Sequence, residues 1–171
     1  VTNDYHRAPL KGTGGVKAIG NYVPGMLPSG LAKESGYAEV IYLDAAEEKY
    51  IEEVGAANFF AVINGKIVTP ELTGSILPGI TRDSVLYLAK NKMGLEVEER
   101  RISIDETLEA DEVFCTGTAA IVAPIGSINY QGKEHTFSNG EIGEVTKELY
   151  HDLTGIQFGT TNDEFGWMTE I

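Results

Sequence analysis

Cysteine occurs once, at Cys115, in a chain of 171 residues, so no internal disulfide can form. No stretch of about 18 apolar residues is present and no charged-then-apolar leader precedes the first elements, which argues against membrane insertion and export. The three histidines, His6, His135 and His151, lack the spacing of metal ligands, and no zinc or nucleophile-elbow pattern appears. Basic residues are scarce. Against 26 Asp plus Glu stand 13 Lys plus Arg, and a net charge of −13 repels nucleic acid and anionic membranes alike. These absences leave a reducing cytoplasm as the expected setting, with Cys115 as a buried structural thiol.

What is there suffices for one domain, since 42 % of the residues are hydrophobic. The chain opens at Val1 without Met and soon enters a glycine-rich segment, which reads as a cut chain. Apolar runs at residues 40–43, 59–63, 66–69, 95–102 and 112–116 predict strands. Asn64-Gly65, between two of them, takes the positive φ angles of a two-residue hairpin. Residues 82–93, ending at Gly94, predict a helix with Thr81 as its cap, and residues 143–153, closing on Gly155, predict another. Ser103-Ile104-Asp105-Glu106 matches a capping box. Residues 21–35 are expected to resist an uninterrupted helix, because Pro24, Gly25, Pro28 and Gly30 disfavour its interior. Interleaved strands and helices indicate a mixed α/β domain.

Four segments are candidates for chemistry. In Gly12-Thr13-Gly14-Gly15-Val16-Lys17 the lysine is followed by Ala18, so the phosphate-loop pattern of nucleotide binders fails, and a solvated loop lysine is the plain alternative. In Leu77-Pro78-Gly79-Ile80-Thr81-Arg82-Asp83 a turn leads into a helix, whose free amides and Thr81 hydroxyl suit an anion or an ordinary cap. Thr116-Gly117-Thr118-Ala119-Ala120 offers further donors or a simple turn. Glu52 and Glu53 lie in an apolar stretch. In a strand they point to opposite faces, so either one turns inward and needs a partner or both sit wet on an edge.

Taken in this order, the Gly12 to Tyr22 string, Glu53, the Leu77 to Asp83 string and Thr116 to Ala120 resemble the successive motifs of the branched-chain amino-acid aminotransferases. These are pyridoxal phosphate enzymes of fold type IV. The likeness runs down to Gly166-Trp167. It implies the large C-terminal domain of such an enzyme over residues 1–171, a mixed sheet or pseudo-barrel with peripheral helices. Lys17 would bond the cofactor and then shuttle a proton, Glu53 would pair with its ring nitrogen, and Tyr22 would lie close by. Leu77 would sit under the ring. Gly79, Ile80, Thr81, Gly117 and Thr118 would surround the phosphate, and Thr118 and Ala119 would meet the substrate. The implied reaction moves an amino group between leucine, isoleucine or valine and 2-oxoglutarate in a homodimer.

The sequence departs from the family in three respects. Ala120 and Ala123 stand where some animal members carry a redox-active cysteine pair, so no thiol switch is expected. Pro24 and Pro28 fall where members have a helix. The family's smaller N-terminal domain, which supplies an arginine to the phosphate and part of the side-chain pocket, has no counterpart here, so the chain alone is expected to fold without turning over. The rival readings are a D-amino-acid transaminase, an aminodeoxychorismate lyase and a catalytically silent domain.

Overall fold

The computed structural model describes residues 1–169. Its centre is β3 (Ala57–Ile63), a strand buried on both faces. Alternation sends Phe59 and Ala61 into one core and Phe60 and Val62 into the other. β1 (Ile41–Leu43) pairs antiparallel with β2 (Ile51–Val54), and β2 with the start of β3. The end of β3 pairs with β4 (Lys66–Thr69) across Asn64-Gly65, both at positive φ as the hairpin requires. On its other edge β3 pairs with β6 (Glu112–Gly117), which continues to β7 (Ile121–Pro124). The sheet therefore forks at β3.

α2 (Ile80–Asn91) carries the chain from β4 to its parallel neighbour β5 (Val97–Glu99). Val85, Leu88 and Ala89 on α2 face Leu149, Leu153 and Ile156 of α4 (Glu144–Gln157) over the core around stacked Phe60 and Phe114. The other core is closed by α3 (Ile104–Leu108) and by the hairpin β8–β9 (Ser127–Tyr130, Lys133–Thr136). Among the described residues no helix is long and apolar enough to cross a membrane.

Gly94 takes φ +68 and stops α2 as expected, and the Ser103 hydroxyl accepts from the Glu106 amide at 3.1 Å. Four expectations fail. Residues 23–34 do form a helix, α1. Pro24 lies in the first turn, where an N–H has no partner anyway, and Pro28 removes one ladder bond but is itself buried. Gly79, not Thr81, is the N-cap of α2. Gly155 lies inside α4, where a Cβ would meet Thr161 Oγ1 at 2.7 Å, and the left-handed stop falls at Gly159. The strand expected over 95–102 is confined to residues 97–99, and β7 to β9 carried no apolar alternation strong enough to announce them.

Candidate active site

Glu53, Asn58 and Thr116 are opposite one another in successive antiparallel pairs, so their side chains share one face at one end of the sheet. Asn58 is the connector. Its Nδ2 donates to Glu53 Oε1 at 3.2 Å and to the Leu77 carbonyl at 2.8 Å. Gly79 packs against the same Asn58 side chain so closely that a Cβ would overlap Asn58 Oδ1. Leu77 and Gly79 are thereby tied to Glu53.

Neither glutamate is wet. Glu53 is 2 % exposed and ion-paired with Arg7, itself 8 % exposed, while Glu52 is 5 % exposed and accepts a hydrogen bond from the Ser75 hydroxyl. The alternative of an edge strand with both carboxylates in water is thus overturned. Nor do the two point to opposite faces as expected: the pairing with β1 shifts register between the pair Ile41 with Val54 and the pair Leu43 with Ile51. Ile51 and Val54 enter one core, and Glu52 and Glu53 turn together to the other side, where the segment of residues 73–77 and the N-terminal stretch cover them. Burial pushes the Glu53 carboxyl up to about 7, against the downward pull of Arg7. Because this value lies above the unfolded one, the group contributes stability that is full below about pH 4.5 and is lost as pH rises through about 7. The melting temperature of the ligand-free protein should therefore fall across that window. Glu53→Gln should flatten the fall, leaving the smaller slope of Glu52, which burial also raises; a profile unaltered by Glu53→Gln would contradict this.

The glycine-rich loop docks on the segment of residues 73–77. The Gly15 amide donates to the Gly74 carbonyl at 2.7 Å, and at Gly14 any Cβ would overlap the Ser75 backbone. Buried Asn21 clamps the loop from the other side: its Nδ2 donates to the Thr13 and Val16 carbonyls at 2.7 and 2.8 Å, and its Oδ1 accepts from the Thr13 hydroxyl at 2.6 Å. Lys17 leaves this clamp exposed, with Nζ donating to the hydroxyl of Tyr22 at 3.2 Å. An amine held on a rigid loop beside a phenol is placed for nucleophilic or proton-transfer work.

At the start of α2 the first helical bond runs from the Asp83 amide to the Gly79 carbonyl, and no side chain caps the end. The amides of Ile80, Thr81 and Arg82 lie ahead of that bond, in the positive end of the helix dipole, and Ile80 is 84 % exposed. The Arg82 guanidinium turns inward, to the Pro70 carbonyl at 3.0 Å and Glu99 at 2.7 Å. Exposed Thr118 and Ala119 sit in the turn that follows β6, where Thr116 pairs with Asn58 and a Cβ on Gly117 would lie 3.9 Å from the Ala57 methyl. The same turn holds Ile121 at φ +55, a strained conformation for a β-branched residue. A cavity of about 1020 Å³ between α1 and β8, lined by Leu31, Tyr37 and Ile125 among others, contains none of these residues. Cys115 packs against the core, and burial pushes its thiol up to about 11, away from nucleophilic reactivity.

Sequence reasoning missed Arg7, Asn21, Asn58 and Ser75. A polar Asn58 inside the apolar run 57–63 was the one local signal.

A model of the family described as "Amino-transferase class IV" matches residues 5–128. Among curated relatives, "Branched-chain-amino-acid aminotransferase 3, chloroplastic" of Arabidopsis thaliana is 48 % identical over 171 residues, all of this chain and 41 % of its own length. A "Probable branched-chain-amino-acid aminotransferase" of Staphylococcus aureus (strain N315) is 51 % identical, over all of this chain and 49 % of its own length. The chain thus spans less than half the length of these relatives. The solved branched-chain amino acid aminotransferase from Escherichia coli superposes with a TM-score of 0.86 at 37 % identity, covering 99 % of this chain and 55 % of that one. The branched-chain amino acid aminotransferase from Thermobaculum terrenum, solved in its PLP-form, gives 0.82 at 32 %, covering 96 % and 52 %.

Proposed function

Because the chain belongs to the class IV aminotransferases, we propose that residues 1–171 form the cofactor-carrying C-terminal domain of a branched-chain amino-acid aminotransferase. Its reaction would move an amino group between leucine, isoleucine or valine and 2-oxoglutarate, with pyridoxal phosphate as cofactor, in a cytoplasmic homodimer. One observation carries this reading: an exposed lysine, an uncapped helix start and a buried carboxylate are tied into one end of the sheet by Arg7, Asn58 and the segment of residues 73–79. The names of the relatives support the substrate class.

These residues fit the cofactor. A phosphate would accept from the amides of Ile80 and Thr81 and the hydroxyls of Thr81 and Thr118, with Gly79 and Gly117 allowing close approach. Glu53 would offer its negative charge to the ring nitrogen, with Leu77 beneath the ring and Tyr22 beside it. When bound, pyridoxal phosphate supplies an electron sink that stabilises negative charge at the substrate α-carbon. Lys17 would bond the cofactor through its neutral amine and later carry the proton between the α-carbon and C4′. Thr118 and the backbone of Ala119 would orient the substrate carboxylate.

The test is an amino-donor series on the protein at its encoded length, with 2-oxoglutarate as acceptor. Leucine, isoleucine and valine should exceed D-alanine by at least about tenfold in kcat/KM, the discrimination that one or two well-packed methylenes provide, and aminodeoxychorismate should release no pyruvate. Preference for D-alanine, or pyruvate release from aminodeoxychorismate, would overturn the substrate assignment. Failure to take up pyridoxal phosphate would overturn the whole reading.

A further inference from the structure

Arg7 occupies a place that none of the site motifs describes. Its guanidinium pairs with Glu53, donates to the Ser75 carbonyl at 2.6 Å and reaches the Gly14 carbonyl at 3.5 Å. One buried cation thus touches the strand that carries Glu53, the segment leading to Leu77 and Gly79, and the loop leading to Lys17. A purely structural strut needs only the two carbonyls. Aiming a permanently charged group at a carboxylate that is 2 % exposed does something further, because burial favours the neutral acid and Arg7 opposes it.

The other groups around Glu53 do not replace that charge. Glu52 beside it on β2 is a like charge and raises its carboxyl. Asn58 from β3 and the Leu77 backbone supply neutral hydrogen bonds, and Ser75 is spent on Glu52.

We propose that Arg7 is a positioning residue for catalysis, aiming the Glu53 carboxylate and favouring its ionised form so that it can hold a proton on the ring nitrogen of pyridoxal phosphate. This rests on the cofactor reading given above. Without the guanidinium, Glu53 would keep its own proton at neutral pH and lose its attraction for the protonated ring nitrogen. The rest of the site would still accept the phosphate.

Arg7→Gln removes the charge but keeps a donor for the Ser75 carbonyl, and Arg7→Lys keeps the charge. In the ligand-free protein, the infrared carboxylic-acid band that vanishes in Glu53→Gln should titrate about one to three pH units higher in Arg7→Gln, the size of shift an adjacent opposite charge produces. It should move little in Arg7→Lys. Equal behaviour of the two variants overturns the proposal. Binding gives the second readout, with pyridoxal phosphate compared with its analogue bearing carbon in place of the ring nitrogen. Arg7→Gln should weaken the natural cofactor about ten- to hundredfold more than the analogue, the equivalent of one charge-assisted hydrogen bond. Equal weakening of both would reduce Arg7 to a strut. If Arg7→Gln does not fold, Arg7→Gln/Glu53→Gln should recover the fold, because a buried carboxyl left without its partner is then the cause, and failure to recover it also overturns the proposal. A wild-type protein that takes up neither form would instead sink the cofactor reading, while the infrared titration would still report on the pair.

Discussion

Replacing Lys17 with Ala in the protein at its encoded length should abolish the borohydride-reducible bond to pyridoxal phosphate and slow amino transfer at least about a thousandfold, or about 4 kcal/mol of barrier. The side chain has two tasks under the proposed function, and both need a free amine at one place. Its rigid loop supplies the place. Asn21 and the Gly74 carbonyl hold the backbone, so the amine reaches Tyr22 without ordering a flexible chain first. Arg7 cannot substitute, since a guanidinium stays protonated and is committed to Glu53. The folded core should be unaffected, because Lys17 is exposed and makes no buried contact. A Lys17→Ala variant that still retains cofactor after borohydride would remove this lysine from the mechanism.

The second large effect separates two neighbours. Glu53→Gln should slow removal of the substrate α-proton by about ten- to hundredfold, because an amide offers no negative charge to the ring nitrogen and about 1.5–3 kcal/mol of charge-assisted bonding is lost. The α-deuterium isotope effect on kcat should grow, as that step becomes more fully rate-limiting. Glu52→Gln should leave the rate near wild type. Its partner is the Ser75 hydroxyl, not the Arg7 and Asn58 groups that hold Glu53, and an amide oxygen still accepts from it. Equal kinetic losses in the two variants would show that the polar layer acts as one unit.

Signals that act within a few residues were legible in the chain. Asn64-Gly65 makes its hairpin and Ser103 caps its short helix, because each depends on φ preference or on a side chain reaching its own backbone. Gly94 stops α2 for the same reason. The prolines of α1 misled because a propensity rule weighs the residue and not its place: Pro24 needs no helical partner, and burial of Pro28 is a tertiary matter. Thr81 misled similarly, since a threonine one residue inside a helix looks the same in sequence as one at its cap.

For the candidate site, the sequence by itself determined the order and chemistry of the four motifs, and through them the family: a lysine after glycines, a glutamate in an apolar stretch, a turn into a helix and a threonine pair. Only the tertiary structure decided the electrostatics. Whether Glu52 and Glu53 are wet depends on what covers β2, and the covering groups come from residues 7 and 73–77, far along the chain in both directions. Burial and ion pairing are sums over neighbours that a single strand cannot encode, so the state of the one carboxylate most important to the proposed chemistry became visible only once the chain had folded around it.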